Sequence, residues 1–302
     1  MMKPIIIDTD PGIDDVVAIT AATFSDELDV KLITTVGGNV GIENTTKNAV
    51  DLLTFLEKNV PIAKGSAGPL LRKQETASHV HGTSGIGEYQ FTAEPNTSLL
   101  SEENAVVELR NYIMHSADSV TLVPIGPLTN IALLFKTFPE ALENIEQIVL
   151  MGGAAVGGNA TPVAEFNIFA DPHAAKIVFE SDMNIVMCGL DVTQLTSVSY
   201  EDVKKVKEQG KIGEMVYDML QFYKNTYSDK AIAIHDLCTI IYLTRPELFR
   251  VRRASIDVAT DGPAAGCTVT NFTDDGNVQV CVDADVEAFR HAFVSMFDHK
   301  NG

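Results

Sequence analysis

Along the first two thirds of the chain, short apolar runs rich in β-branched residues alternate with stretches of helical periodicity. Residues 5–8 precede a helical stretch at 14–24. Residues 30–36 end at Gly37-Gly38-Asn39 ahead of 43–57, where Ala49, Leu52, Leu53 and Leu56 recur at helical spacing. Residues 119–125 stop at Gly126-Pro127 before a helix over 128–135, and residues 146–151 stop at Gly152-Gly153. Asp171-Pro172 opens another helix, and 185–188 form a short strand before Gly189. Strand–helix alternation of this kind requires crossovers between parallel strands. The sequence therefore predicts an α/β fold built on a single doubly wound, mostly parallel, Rossmann-like sheet. Such sheets bind ligands outside the carboxyl ends of their strands.

The remaining segments decorate that sheet. Residues 66–95 are Gly-rich and polar with weak periodicity, which reads as a long loop, and such loops inside a compact domain are usually functional. Residues 201–227 look helical and predict an added lobe or lid. Near the C-terminus, residues 268–271 and 278–282 flank Thr273-Asp274-Asp275-Gly276-Asn277, a hairpin signal. A last helix spans 285–297. No composition shift divides the 302 residues, so a single domain over 1–302 is expected.

A formal charge of −19 argues against nucleic-acid or anionic-membrane partners, which require basic surface. No apolar run approaches the ~18 residues of a membrane span, and no charged and apolar leader opens the chain. Cys188, Cys238, Cys267 and Cys281 lack CxxC spacing and zinc-finger histidines, so buried free thiols in a reducing compartment are expected. The expected location is the cytoplasm.

Chemistry concentrates first in Asp8-Thr9-Asp10-Pro11-Gly12-Ile13-Asp14-Asp15, directly after the first apolar run. Two unit charges ~4 Å apart repel by roughly 4 kcal/mol at an effective dielectric of 20. Either some of these carboxylates hold protons, or a cation sits among them. Helix capping accounts for at most two of the four, so a divalent metal site is the leading reading. An EF-hand loop starting at Asp8 fails, because Gly12, Ile13 and Ile19 stand at its fifth, sixth and twelfth positions. A haloacid dehalogenase-type phosphatase also starts with a strand and Asp-x-Asp, but Gly12 stands where it needs Thr or Val.

Two further places carry functional groups. Asn159 and Glu165-Phe166-Asn167 offer a carboxylate and two amides, which suit a polyhydroxyl ligand. His235-Asp236, inside an apolar run, could give one proton donor and one metal ligand. His79 and His81 alternate like a metal pair, but with no third soft ligand nearby they do not predict zinc.

The acidic window, taken with Thr34-Thr35-Val36-Gly37-Gly38-Asn39, His81-Gly82-Thr83-Ser84-Gly85, Gly126-Pro127-Leu128-Thr129-Asn130, Met151-Gly152-Gly153, Ala164-Glu165-Phe166-Asn167 and His235-Asp236, resembles the inosine-uridine-preferring nucleoside hydrolases. The resemblance runs from end to end, and is greatest to bacterial ribonucleoside hydrolases that accept purine and pyrimidine nucleosides. It implies one Ca²⁺ per subunit, held by Asp10, Asp15, Asp236 and the backbone carbonyl of Ile125, and ligating the ribose 2′ and 3′ oxygens. It implies Asp10 as general base on the attacking water and His235 as acid toward the departing base. Asp14, Asn39, Asn159, Glu165 and Asn167 would hold ribose, while Asp8 would support the loop. His81, Met151, Phe166 and Tyr227 would complete the substrate pocket, with Tyr223 as the other aromatic able to reach over the base. Thr83 stands where many relatives carry Glu. Ribonucleosides are the implied partners, in nucleoside salvage or catabolism, with a homodimer or homotetramer as the assembly. Two other readings compete: the metal-dependent phosphatase, and a nucleoside-binding protein without turnover, which the presence of both Asp10 and His235 disfavours.

Overall fold

Alternation within each apolar run sorts its side chains onto two faces. In β1 (Lys3–Thr9), Ile5 and Ile7 join one apolar core and Ile6 another. The same split divides Val123 from Leu122 in β4 (Val120–Pro124), Val149 from Ile148 in β5 (Ile145–Met151), and Val186 from Ile185 in β6 (Ile185–Cys188). A strand buried on both faces needs a helical layer on each side. The helices Ile13–Thr23, Ile42–Phe55, Leu237–Thr244 and Val286–Ser295 cover one face; Ala105–His115, Thr129–Thr137 and Pro172–Phe179 cover the other. Each fully buried isoleucine or leucine stabilises this sandwich by about 1.5–3 kcal/mol.

The computed structural model describes residues 2–226 and 231–298. Its other strands are β2 (Leu28–Thr35), β3 (Ile62–Lys64), β7 (Val198–Ser199), β8 (Ala231–Ile232), β9 (Phe249–Val258), β10 (Thr268–Phe272) and β11 (Val278–Ala284). Nine of the eleven strands form one sheet in the order β3-β2-β1-β4-β5-β6-β11-β9-β10. Only β9 runs against the common direction. The sequence-based expectation of a doubly wound, mostly parallel sheet holds. Strand order reverses between β1 and β4, and the carboxyl ends of these two strands therefore open a crevice.

The expected C-terminal hairpin is corrected. β10 and β11 do not pair with each other; β9 lies between them and pairs antiparallel with both. Phe272 and Val278 both register against Ala254, so residues 273–277 carry the chain across β9. Gly276 passes directly over the Ala254 backbone, where a Cβ would overlap the peptide. The glycine closes a turn, its N donating to the Thr273 carbonyl (3.3 Å), and also permits the close approach. β9 itself was not foreseen, because its arginines (Arg250, Arg252, Arg253) are exposed and only scattered positions are buried.

The expected lobe consists of the helices Tyr200–Lys207 and Lys211–Thr226, the second packing against the Ile13–Thr23 helix. The long loop contains one short helix, Ser78–His81. It is pinned where Leu70 N donates to Asp171 and Ala77 N to the Asn39 carbonyl. All four cysteines are free thiols; Cys188, Cys238 and Cys281 are buried as expected, while Cys267 is half-buried.

Candidate active site

β1 ends by driving its acidic window into the crevice beside β4. Asp8, still in the strand, faces inward and accepts from Thr34 Oγ1 (2.5 Å) and Asn130 Nδ2 (2.8 Å). It joins β1 to β2 and to the Thr129–Thr137 helix, and burial pushes its carboxyl up to about 7. Asp10 comes next. Its Oδ2 accepts from Asn39 N (2.6 Å), whereas Oδ1 is buried without a protein partner. Gly38 and Gly126 flank this carboxylate so closely that a Cβ on either would collide with it. Glycine at both strand ends is thus what makes room for Asp10.

Asp14 and Asp15 open the Ile13–Thr23 helix. Asp15 accepts from Thr9 Oγ1 (2.5 Å), Gly12 N (2.9 Å) and Asn39 Nδ2 (3.2 Å), so it caps the helix and belongs to the cluster as well. Asp236, from the start of the Leu237–Thr244 helix, joins them: Asp14, Asp15 and Asp236 bring oxygens within 4.8 Å of one another. Burial raises the carboxyl of Asp10 well above its ordinary range, and Asp15 adds to that. Burial, then the Asp14 charge, likewise raises Asp236, and Asp15 reaches about 6 for the same reasons.

These residues fit a hard divalent cation. Every donor in the set is oxygen, and the Asp10 Oδ1 lone pairs are otherwise stranded in the interior. The Ile125 carbonyl, at the end of β4, accepts from Asn167 Nδ2 (2.9 Å) and keeps a second lone pair.

Above the cluster lies a cavity of about 360 Å³, with Asp14, Asn39, Ile125, Asn167, His235 and Asp236 on its walls. Met151, Asn159, Glu165, Phe166 and His81, all expected from the sequence, line it too. Glu165 accepts from Gly153 N (2.9 Å), Asn167 N (2.9 Å) and Ile168 N (3.2 Å), and burial still raises it to about 7. Asn159 is exposed and orders this corner by accepting from Phe166 N (2.9 Å). His81 Nδ1 accepts from Ile13 N (3.1 Å), which puts the ring proton on Nε2. Burial holds this imidazole down at about 4, so it is neutral. His235, also on the cavity wall, bonds Thr193 Oγ1 through Nδ1 (2.7 Å), and burial lowers it as well.

Of the two tyrosines considered, Tyr223 closes the cavity from the lobe helix and donates to Asp14 Oδ1 (2.9 Å). Tyr227 lies outside the described residues. Thr193, Gln194 and Ser197 had no signal in the sequence, since nothing local distinguishes them; the fold brings Thr193 to His235 and the other two to the cavity wall.

The model of the inosine-uridine preferring nucleoside hydrolase family matches residues 5–291 of this sequence. The chain belongs to that family. It is accordingly a nucleoside hydrolase, an enzyme that cleaves N-glycosidic bonds. It is 45% identical over 298 residues to the non-specific ribonucleoside hydrolase RihC of Salmonella enteritidis, covering 97% of each chain. Among solved structures it is similar to the purine-preferring ribonucleoside hydrolase of Gardnerella vaginalis (32% identity, TM-score 0.92, 98% of each chain). It is also similar to the plant nucleoside hydrolase PpNRh1 (31% identity, TM-score 0.90, 99% of this chain and 100% of that one). These matches give the phosphatase reading no support. Among the described residues, no helix is long and apolar enough to cross a membrane.

Proposed function

We propose that this nucleoside hydrolase is calcium-dependent and splits purine and pyrimidine ribonucleosides into free base and ribose, in cytoplasmic nucleoside salvage. The printed activities of its relatives support ribonucleosides as the substrate class, and the 45% identical one is named non-specific. The family match over residues 5–291 supports one catalytic domain spanning the chain, and we expect it to assemble as a homodimer or homotetramer. The observation that carries the catalytic reading is the convergence of four buried carboxylates, from two distant segments, beneath a cavity walled by amides.

The bond to be broken dictates the roles. As the C1′–N bond lengthens, positive charge grows on the ribose and negative charge on the base. Carboxylates fixed below the ring stabilise that cation without having to reorganise. Asp14, Asn39, Asn159, Glu165 and Asn167 hold the ribose hydroxyls. Asn167 is oriented by donating to both the Ile125 and Met151 carbonyls (2.9 and 3.1 Å). Asp10, with one oxygen fixed by Asn39 N and the other unpartnered, takes the proton of the attacking water as general base. His235 protonates the departing base, and neutral His81 donates to it through Nε2. A calcium ion held by Asp10, Asp15, Asp236 and the Ile125 carbonyl would, when bound, orient the ribose diol and make water more acidic. Asp8 acts at one remove, by fixing the strand end.

Purified protein incubated with inosine, uridine or cytidine, with and without a calcium chelator, tests this through the ribose released. Release from all three that stops on chelation and returns with Ca²⁺ is expected. No ribose from any nucleoside would refute the catalytic reading, and full activity in chelator would refute the metal.

A further inference from the structure

The segment that follows β6 reaches both walls of the cavity. Gly189 ends the strand, and Leu190–Thr193 makes a single helical turn anchored by Leu190 N on the Gly153 carbonyl (2.9 Å). On one side the Asp191 carboxylate accepts from Ala155 N (2.7 Å) and Val156 N (3.1 Å), tying down the loop that leads to Asn159. On the other side Thr193 Oγ1 meets His235 Nδ1 at 2.7 Å. Pairing of Val198 with Ile232 between β7 and β8 joins the same two segments a few residues further on, and Thr196 Oγ1 approaches Cys238 Sγ (3.2 Å). Thr193 is completely buried, so its hydroxyl has little freedom to bond elsewhere.

We propose that Thr193 is a positioning residue for the reaction: its hydroxyl holds the His235 ring by Nδ1 and thereby aims Nε2 at the leaving base. Only one ring nitrogen can serve the substrate. With Nδ1 bonded to a buried side chain on this turn, that nitrogen is Nε2, and the ring cannot flip without breaking that hydrogen bond. In the step itself the C1′–N electron pair leaves with the base, and His235, entering as the imidazolium, passes its Nε2 proton to that base and is left as the neutral ring whose Nδ1–H donates to Thr193 Oγ1. Water delivers hydroxide to C1′ and its second proton to Asp10. Thr193 loses nothing and forms no covalent bond; it fixes the direction of one transfer. The inference rests on His235 being the acid.

The test compares two kinds of riboside: inosine, whose base needs a proton to leave, and p-nitrophenyl β-ribofuranoside, whose phenolate departs without one. Thr193→Val keeps the shape and removes the hydroxyl. Its kcat on inosine should fall by about tenfold or more, since small misplacements of a catalytic group can cost up to ~10²-fold. KM and turnover of the p-nitrophenyl riboside should stay within about twofold of wild type, and Thr193→Ser should restore inosine turnover, because only the proton transfer is lost. His235→Ala should show the same selectivity more strongly, by roughly 10²–10⁴ on inosine. Equal losses on both substrates, or failure of Ser to rescue, would reduce Thr193 to a packing residue and overturn the proposal. Loss in His235→Ala with none in Thr193→Val would overturn it as well, leaving His235 as the acid. Inosine turnover unaffected in His235→Ala would remove the acid itself and this inference with it. Should the Val variant fail to fold, Thr193→Ala read against Thr193→Ser makes the same comparison.

Discussion

The floor and the roof of the cavity are built in opposite ways. The floor is eight consecutive residues at the end of one strand, joined by Asp236, and Asp10 and Asp15 are completely buried. The roof draws on the Ser78–His81 turn, the segment from Asn159 to Asn167, the Thr193–Ser197 stretch, Tyr223 and His235. The floor is held by backbone amides and glycines of the switch point, which cannot move without disturbing β1, β2 and β4. Much of the roof is held by side-chain contacts between separate elements, such as Tyr223 to Asp14 and Thr193 to His235. Charge is concentrated where backbone amides of one short window hold it, and the cavity walls are assembled from distant segments.

The strongest break in that contrast is Asp10→Asn. Removing a general base costs about 10²–10⁴ in rate, and kcat on inosine should fall by that order while the circular-dichroism spectrum stays native. Near-normal turnover would displace the floor as the site of base catalysis.

Next in size is the cation effect on stability. At a free Ca²⁺ concentration 100 times its dissociation constant, a site present only in the folded state adds about 2.7 kcal/mol. Thermal melts of the wild type should rise accordingly, and those of Asp236→Ala should barely respond. An equal rise in the variant would take Asp236 out of the cation site.

The metal-free site, floor and Glu165 corner together, should also show a particular pH dependence. Asp8, Asp15 and Glu165 have carboxyls raised to about 7, 6 and 7, so the folded protein keeps protons that the unfolded chain has released. Stability then falls wherever the folded state binds more protons than the unfolded one as pH rises. The stabilisation from these groups is fully present below their ordinary carboxylate range, is lost up to about pH 7, and does not decline further above it. Urea midpoints at pH 5 and pH 7.5, measured in chelator, check this; a higher midpoint at pH 7.5 would contradict it. Added Ca²⁺ should help more at pH 7.5, because it needs the charged carboxylates.

The smallest effect belongs to the roof. Tyr223→Phe removes the hydroxyl bonded to Asp14, and a typical hydrogen bond contributes about 0.5–1.5 kcal/mol net. We expect KM for inosine to rise with kcat within about threefold of wild type, as when uniform binding is lost. A large fall in kcat alone would mean that the roof takes part in the chemistry.

Legibility in the sequence follows the same division. The parallel sheet could be read because each buried strand is a continuous apolar run, and the floor because its acids are neighbours in the chain. The β10–β9–β11 edge was misread because Gly276 has one local signature and two possible uses, a hairpin turn or a close crossing. Thr193, the partner of His235, gave no warning, since it looks like an ordinary core residue until the helices pack, whereas Tyr223 was expected near the base but its bond to Asp14 was not.

By itself, then, the sequence determined the parallel part of the sheet, the place of the acidic window at a strand's carboxyl end, and the excess of carboxylates that a buried site must neutralise. Only tertiary structure decided that Asp10 keeps one oxygen without a protein partner and which ring nitrogen of His235 is taken. Periodicity and charge are properties of neighbouring residues, whereas hydrogen-bond partners across 42 or 209 positions exist only once the chain has folded.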